Sequence, residues 1–113
     1  YFYQSDFSIL FSIYETASIV VLDSLACGKP IVATNVGVVP EVITPDTGII
    51  VPPRDEEKFL QAVSYMLDTF SNYSPETIRE SAKPYSYDEV AAQLNRLYSF
   101  VKLSPISFPE RKK

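Results

Sequence analysis

The sequence predicts an α/β fold built around a short parallel sheet, and three observations carry that prediction. Continuous apolar runs of strand length recur at Phe7–Ile13, Ile31–Thr34 and Ile49–Val51, as expected of strands buried on both faces. Segments with helical spacing or helical start and stop signals separate them, giving strand, helix, strand, helical turn, strand. The rest of the chain, from Asp55 onward, reads as helix after helix.

Composition sets the limits of function. The 113 residues are 46% hydrophobic and 21% charged, enough for a core in one small domain or in part of a larger one. With a net charge of −4 and scattered basic residues, the chain lacks the electrostatic footprint of a nucleic-acid binder. Cys27 is the single cysteine, so no intrachain disulfide can form, and a reducing compartment is the expected setting. Without any histidine, the chain cannot build a histidine-based triad or most zinc sites by itself. No apolar run approaches the roughly 20 residues of a membrane span, and no signal peptide is visible. The chain starts at Tyr1 without an initiator methionine and is expected to be a piece of something longer.

Taken in order, Tyr1–Ser5 reads as the last turn of a helix, and Asp6 then opens the strand Phe7–Ile13. Ser18 is the N-cap candidate for a helix carrying Ile19, Val20, Leu22, Leu25 and Ala26 at helical spacing. Gly28, as a left-handed cap, and Pro30 stop it. Ile31–Thr34 is the second strand, Asn35-Val36-Gly37 a loop, and Val38–Ile43 one or two helical turns with a proline near the start. Thr44–Gly48 is turn chemistry before the third strand, which Pro52-Pro53 closes. Phe59, Leu60, Val63, Met66, Leu67 and Phe70 mark an amphipathic helix from Asp55 to about Phe70. Ser74-Pro75-Glu76 starts a shorter helix, and Tyr87–Leu103 is the last, with Val90, Leu94, Leu97, Tyr98 and Val101 as its stripe. Residues 104–113, with two prolines and a basic end, are expected to form a tail behind a 1–103 body.

Three parallel strands are too few to close a domain of this kind. Phe7–Ile13, the most apolar, should be central, with its other neighbour outside this sequence. The expected fold class is therefore α/β, a partial Rossmann-like doubly wound parallel sheet of about three strands with C-terminal helices. It supplies what resembles strands 4, 5 and 6 of the order 3-2-1-4-5-6. An exposed edge on the first strand further implies self-association or element swapping.

Chemistry concentrates between the first strand and the first helix. Glu15 sits in the turn, Asp23 in the helix, and between them Thr16, Ala17, Ser18 and Ile19 lead into the helix N-terminus. Unpaired amides and a partial positive charge there suit an anion. Flanking carboxylates suit hydroxyls, because each accepts several hydrogen bonds. Phosphate beside sugar fits both.

Several motifs stand in one order: Ser5–Ser12, then Tyr14-Glu15-Thr16-Ala17-Ser18 leading to Asp23, then Ala26–Thr34 with Val36-Gly37 and Pro40-Glu41, then Thr47–Pro53. Together they resemble the C-terminal half of the donor-binding domain of a group 1 glycosyltransferase of the GT-B fold, over about Tyr1 to Val101. The resemblance implies transfer of a sugar from a nucleotide-sugar donor to a sugar or lipid-linked acceptor with retention of configuration, in polysaccharide or glycoconjugate assembly such as capsule. It implies no resident cofactor and no metal. Glu15 falls on the first acid of the family's Glu-x7-Glu motif, which engages the donor sugar and is the candidate catalytic residue. Asp23 falls on the second, which engages the ribose, although the family has the longer Glu there. Thr16, Ala17, Ser18 and Ile19 fall where main-chain amides approach sugar and diphosphate, with Thr16-Ala17-Ser18 in place of the usual glycines.

The diphosphate-clamping Arg and Lys, and the acceptor site, belong to a missing N-terminal portion of the same protein. The isolated 113-residue chain is thus expected to bind donor weakly and to be inactive. The location implied is cytoplasmic, with the full-length protein peripheral to a membrane. The competing reading is a non-catalytic nucleotide-sugar-binding or interaction module completed by a partner chain. A sugar phosphorylase ranks lower, since no lysine placed for a pyridoxal cofactor is recognisable.

Overall fold

A computed structural model describes residues 1–103, so the expected tail lies outside the described residues. The chain divides into two compact units after Lys83. The first holds β1 (Ser8–Leu10), α1 (Ile19–Ala26), β2 (Ile31–Thr34), α2 (Val39–Val42), β3 (Gly48–Val51), α3 (Glu56–Thr69) and α4 (Pro75–Ala82). The described part of the second is dominated by α5 (Tyr87–Leu103), with the bounds its apolar stripe predicts.

The three strands form one parallel sheet in the order β1-β2-β3, with Leu10 opposite Ala33 and Ala33 opposite Ile50. β2, flanked on both sides, is buried throughout. Alternate residues of β2 face different layers: Ile31 and Ala33 pack with Val21 and Leu25 of α1, Val39 and Val42 of α2 and Ile78 of α4. Val32 packs on the other side with Phe59, Ala62 and Met66 of α3. Helices thus cover both faces, as a doubly wound sheet requires.

β1 departs from expectation. It is three residues long rather than running from Phe7 to Ile13; its place at the edge of the sheet, with Ile9 54% exposed, is the free edge expected of the first strand in this chain. The ladder ends for a specific reason: the Thr34 side chain takes the place of a strand neighbour. Its Oγ1 accepts from the Ser12 amide at 3.0 Å and donates to the Ser12 carbonyl at 2.6 Å. The aromatic residues flanking β1 still reach α3 and the turn that follows it, with Phe11 against Phe59 and Phe7 against Phe70 at centroid separations of 4.6 and 6.3 Å.

The opening Tyr1–Ser5 segment forms a 3-10 turn at Phe2–Gln4 rather than an α-helical end. In α1 the buried residues are Val21, Ser24 and Leu25, whereas Ile19 and Val20 are exposed. Ser24 can face inward because its hydroxyl is satisfied, donating to the Lys29 carbonyl at 3.0 Å and sharing a hydrogen bond with the Ser8 hydroxyl at 2.9 Å. Gly28, at φ +71°, ends α1 through paired bonds from the Gly28 amide to Leu25 O and the Lys29 amide to Ser24 O. A Cβ there would stand 2.6 Å from Arg79 Nη1 and 2.9 Å from Pro75 O, so glycine also allows α4 to seat on α1. In α3, Leu60 and Leu67 face outward, and Ala62 takes the inward position between Phe59 and Met66.

Candidate functional site

The turn from β1 into α1 is held from two directions. From below, Thr34, fully buried at the C-terminal end of β2, fixes the backbone of Ser12. Ser12 in turn donates from Oγ to Glu15 Oε1 at 2.9 Å. From the side, Gly37 at φ +54° lies so close that a Cβ on it would collide with the Glu15 carbonyl. Only glycine fits both the left-handed backbone and that approach. Glu15 is consequently half-buried and oriented, with its second carboxylate oxygen making no hydrogen bond among the described residues.

Beyond Glu15, Thr16 and Ala17 form an exposed bend that enters α1 at Ser18. Ser18 is the N-cap, as its residue type suggests, yet its side chain accepts no capping bond. Its Oγ is instead a buried hydroxyl without a partner, in a residue only 2% exposed. The first turn of α1 also carries no acid. α3 and α4 contrast with it: Asp55 caps Lys58 N with Glu56 and Glu57 following, and Ser74 caps Thr77 N with Glu76 following. Those two helix dipoles are answered by their own side chains; the positive end of α1 is not.

Ile19 is the exposed first residue of α1, and Asp23 lies one turn further on, exposed, with its carboxylate in no ion pair or hydrogen bond among the described residues. All six sequence-selected positions therefore lie on one continuous turn-and-helix start at the C-terminal end of the sheet. That end is where open α/β sheets place their ligands. Sequence reasoning passed over Ser12 and Thr34, which hold Glu15. Their only signal was a hydroxyl near the end of each of two largely apolar runs. Among the described residues, no three of the His, Cys, Asp or Glu side chains cluster to form a cation site, and no helix is long and apolar enough to cross a membrane.

Residues 1–69 match the family model described as glycosyl transferases group 1. The chain is 30% identical over 92 residues to the MMP alpha-(1->4)-mannosyltransferase of Mycolicibacterium hassiacum, covering 77% of this chain and 22% of that protein. It is 30% identical over 102 residues to a subunit of the phosphatidylinositol N-acetylglucosaminyltransferase of Arabidopsis thaliana, covering 88% and 23%. The fold superimposes on sucrose-phosphate synthase from Thermosynechococcus elongatus with a TM-score of 0.76 at 26% identity, over 86% of this chain and 26% of that one. The chain thus spans about a quarter of the length of these relatives. By the family model, by both relatives and by this fold, the chain belongs to the group 1 glycosyl transferases.

Proposed function

We infer that this chain is the C-terminal half of the donor-binding domain of a retaining, nucleotide-sugar-dependent glycosyltransferase. The observation that carries the reading is the uncapped start of α1. A buried, unpartnered Ser18 Oγ and an uncompensated helix dipole favour an anion there, and a diphosphate supplies one. The amides from Thr16 to Ile19 approach that diphosphate, Glu15 accepts from hydroxyls of the donor sugar, and Asp23 accepts from the ribose. As the glycosidic bond to the diphosphate breaks, negative charge builds on the leaving oxygens. Fixed N–H groups stabilise that charge without reorganising. No metal or cofactor takes part. The acceptor, a sugar or lipid-linked sugar of a polysaccharide or glycoconjugate, meets the donor on the missing N-terminal portion of a cytoplasmic, membrane-peripheral enzyme.

Titrating the 113-residue chain with a nucleoside diphosphate sugar tests this. Amide resonances of residues 16–19 should shift with a Kd in the millimolar range, near −4 kcal/mol, while no sugar is transferred. Stationary amides at about 10 mM ligand, in the weak-binding range, would refute the donor site, and turnover by this chain alone would refute its incompleteness.

The free side of β1 has no strand neighbour among the described residues, and Ile9, Phe11, Ile13 and Tyr14 beside it are exposed. In the full-length enzyme the preceding half domain covers that edge; in the isolated chain a second copy does so. Light scattering should therefore show mass rising toward a dimer as concentration increases. A monomer at every concentration would remove the self-association.

A further inference from the structure

A cavity of about 320 Å3 lies at the other end of the sheet from Glu15. Pro45 and Asp46, at its rim, precede β3, whereas Glu15 follows β1; in a parallel sheet those are opposite ends. Tyr65 and Thr69 of α3, Asn72 and Tyr73 of the α3–α4 connection and Thr77 of α4 also line it, most of them exposed, so the cavity is open to solvent.

The two tyrosines differ in what holds them. Tyr73 packs against both core clusters, and its amide donates to Phe70 O at 3.2 Å, so its ring is a fixed wall. Burial, and then Tyr65 nearby, raise its phenol above the ordinary tyrosine range, which keeps it a neutral donor. Tyr65 is 60% exposed, so core packing does not account for it.

The lining also discriminates by charge. Among the described residues, no lysine or arginine borders the cavity. The Thr77 amide at the start of α4 already donates to Ser74 Oγ at 3.3 Å, and Asp46 adds a negative charge. An anion would meet repulsion there and no compensating cation. A single carboxylate is too little for a metal ion. What remains is an uncharged ligand with an apolar face and many hydroxyls.

The geometry points to a second, neutral-saccharide subsite here. A pyranose ring lays its C–H face on Tyr65, and its hydroxyls bond Asn72, Thr77 and the Asp46 carboxylate. The site is an open depression rather than an enclosed cavity, so it holds one or two sugar rings with part of their surface in solvent. The assignment does not depend on the donor site, because it uses none of its residues.

The test is titration of the 113-residue chain with neutral gluco- and manno-oligosaccharides, with the free hexoses, and with UDP as the anionic control. Amides of residues 69–77 should shift with an oligosaccharide or hexose and stay still with UDP. Tyr65→Ala, at an exposed position that leaves the core intact, should weaken binding at least about tenfold, and Asn72→Ala should weaken it too. Tighter binding of the oligosaccharide assigns a chain end as occupant; equal binding of the hexose assigns a monosaccharide. Stationary amides with every sugar, unchanged affinity in both variants, or stronger response to UDP would each overturn the assignment.

Discussion

Glu15→Gln in the full-length transferase is expected to lower kcat by roughly a hundred- to ten-thousand-fold. A carboxylate gripping two sugar hydroxyls makes two charge-assisted bonds, each worth about 1.5–3 kcal/mol. Every 1.36 kcal/mol lost from transition-state stabilisation is about tenfold in rate. The amide keeps the shape but offers one acceptor, and its NH2 would face a hydroxyl donor. Stability should hardly change, because Ser12 Oγ can still donate to the remaining carbonyl oxygen. A thermal midpoint within about 3 °C of the parent, under 1 kcal/mol for a domain of this size, would separate a lost interaction from a lost fold. Turnover within a factor of about three of the parent, under 1 kcal/mol on the same scale, would remove Glu15 from the site.

Much of the scaffold around Glu15 is legible because local signals and tertiary demands agree there. Ile31–Thr34 is an apolar run bounded by Pro30 and Asn35, and it is the fully buried middle strand. Ser74 stands where a cap is expected and accepts the capping bond, and Asp55, read as the first residue of its helix, is the cap of a helix that begins at Glu56. The candidate residues Glu15 to Asp23 are legible because an acid, a helix start and a second acid lie close in sequence. Disagreement arises where a side chain replaces backbone pairing or satisfies a buried polar group at long range. The apolar pattern continues through Phe11 and Ile13, but Thr34, 22 positions from Ser12, has already ended the ladder. Ser24 is not among the apolar positions that mark α1, and it is buried because Ser8, 16 positions away, partners its hydroxyl. Neither contact leaves a periodicity to detect. The same limit hid the cavity beside Tyr65, assembled from a turn, two helices and their connection.

Thr34→Val carries the second large effect, on stability as well as on the site. Valine matches threonine in shape, so the fully buried methyl packing survives and only the hydroxyl is lost. That hydroxyl serves both the amide and the carbonyl of Ser12, and valine leaves both without a partner. Each group so stranded costs about 1–3 kcal/mol when buried. Ser12 is half-buried and water reaches part of it, so the lower half of the sum applies, about 2–4 kcal/mol. For a domain of this size that is a fall of roughly 10–20 °C in Tm. Thr34→Ser keeps the oxygen and drops the methyl, and it should lose only about 1 kcal/mol. The two variants move apart in activity as well. With Ser12 released, its hydroxyl no longer holds Glu15, so the full-length valine variant should lose kcat at temperatures where it is still folded, while the serine variant keeps most of it. Urea denaturation of both variants decides the structural half: a valine variant as stable as the serine one would mean that the paired bonds to Ser12 do not hold the turn.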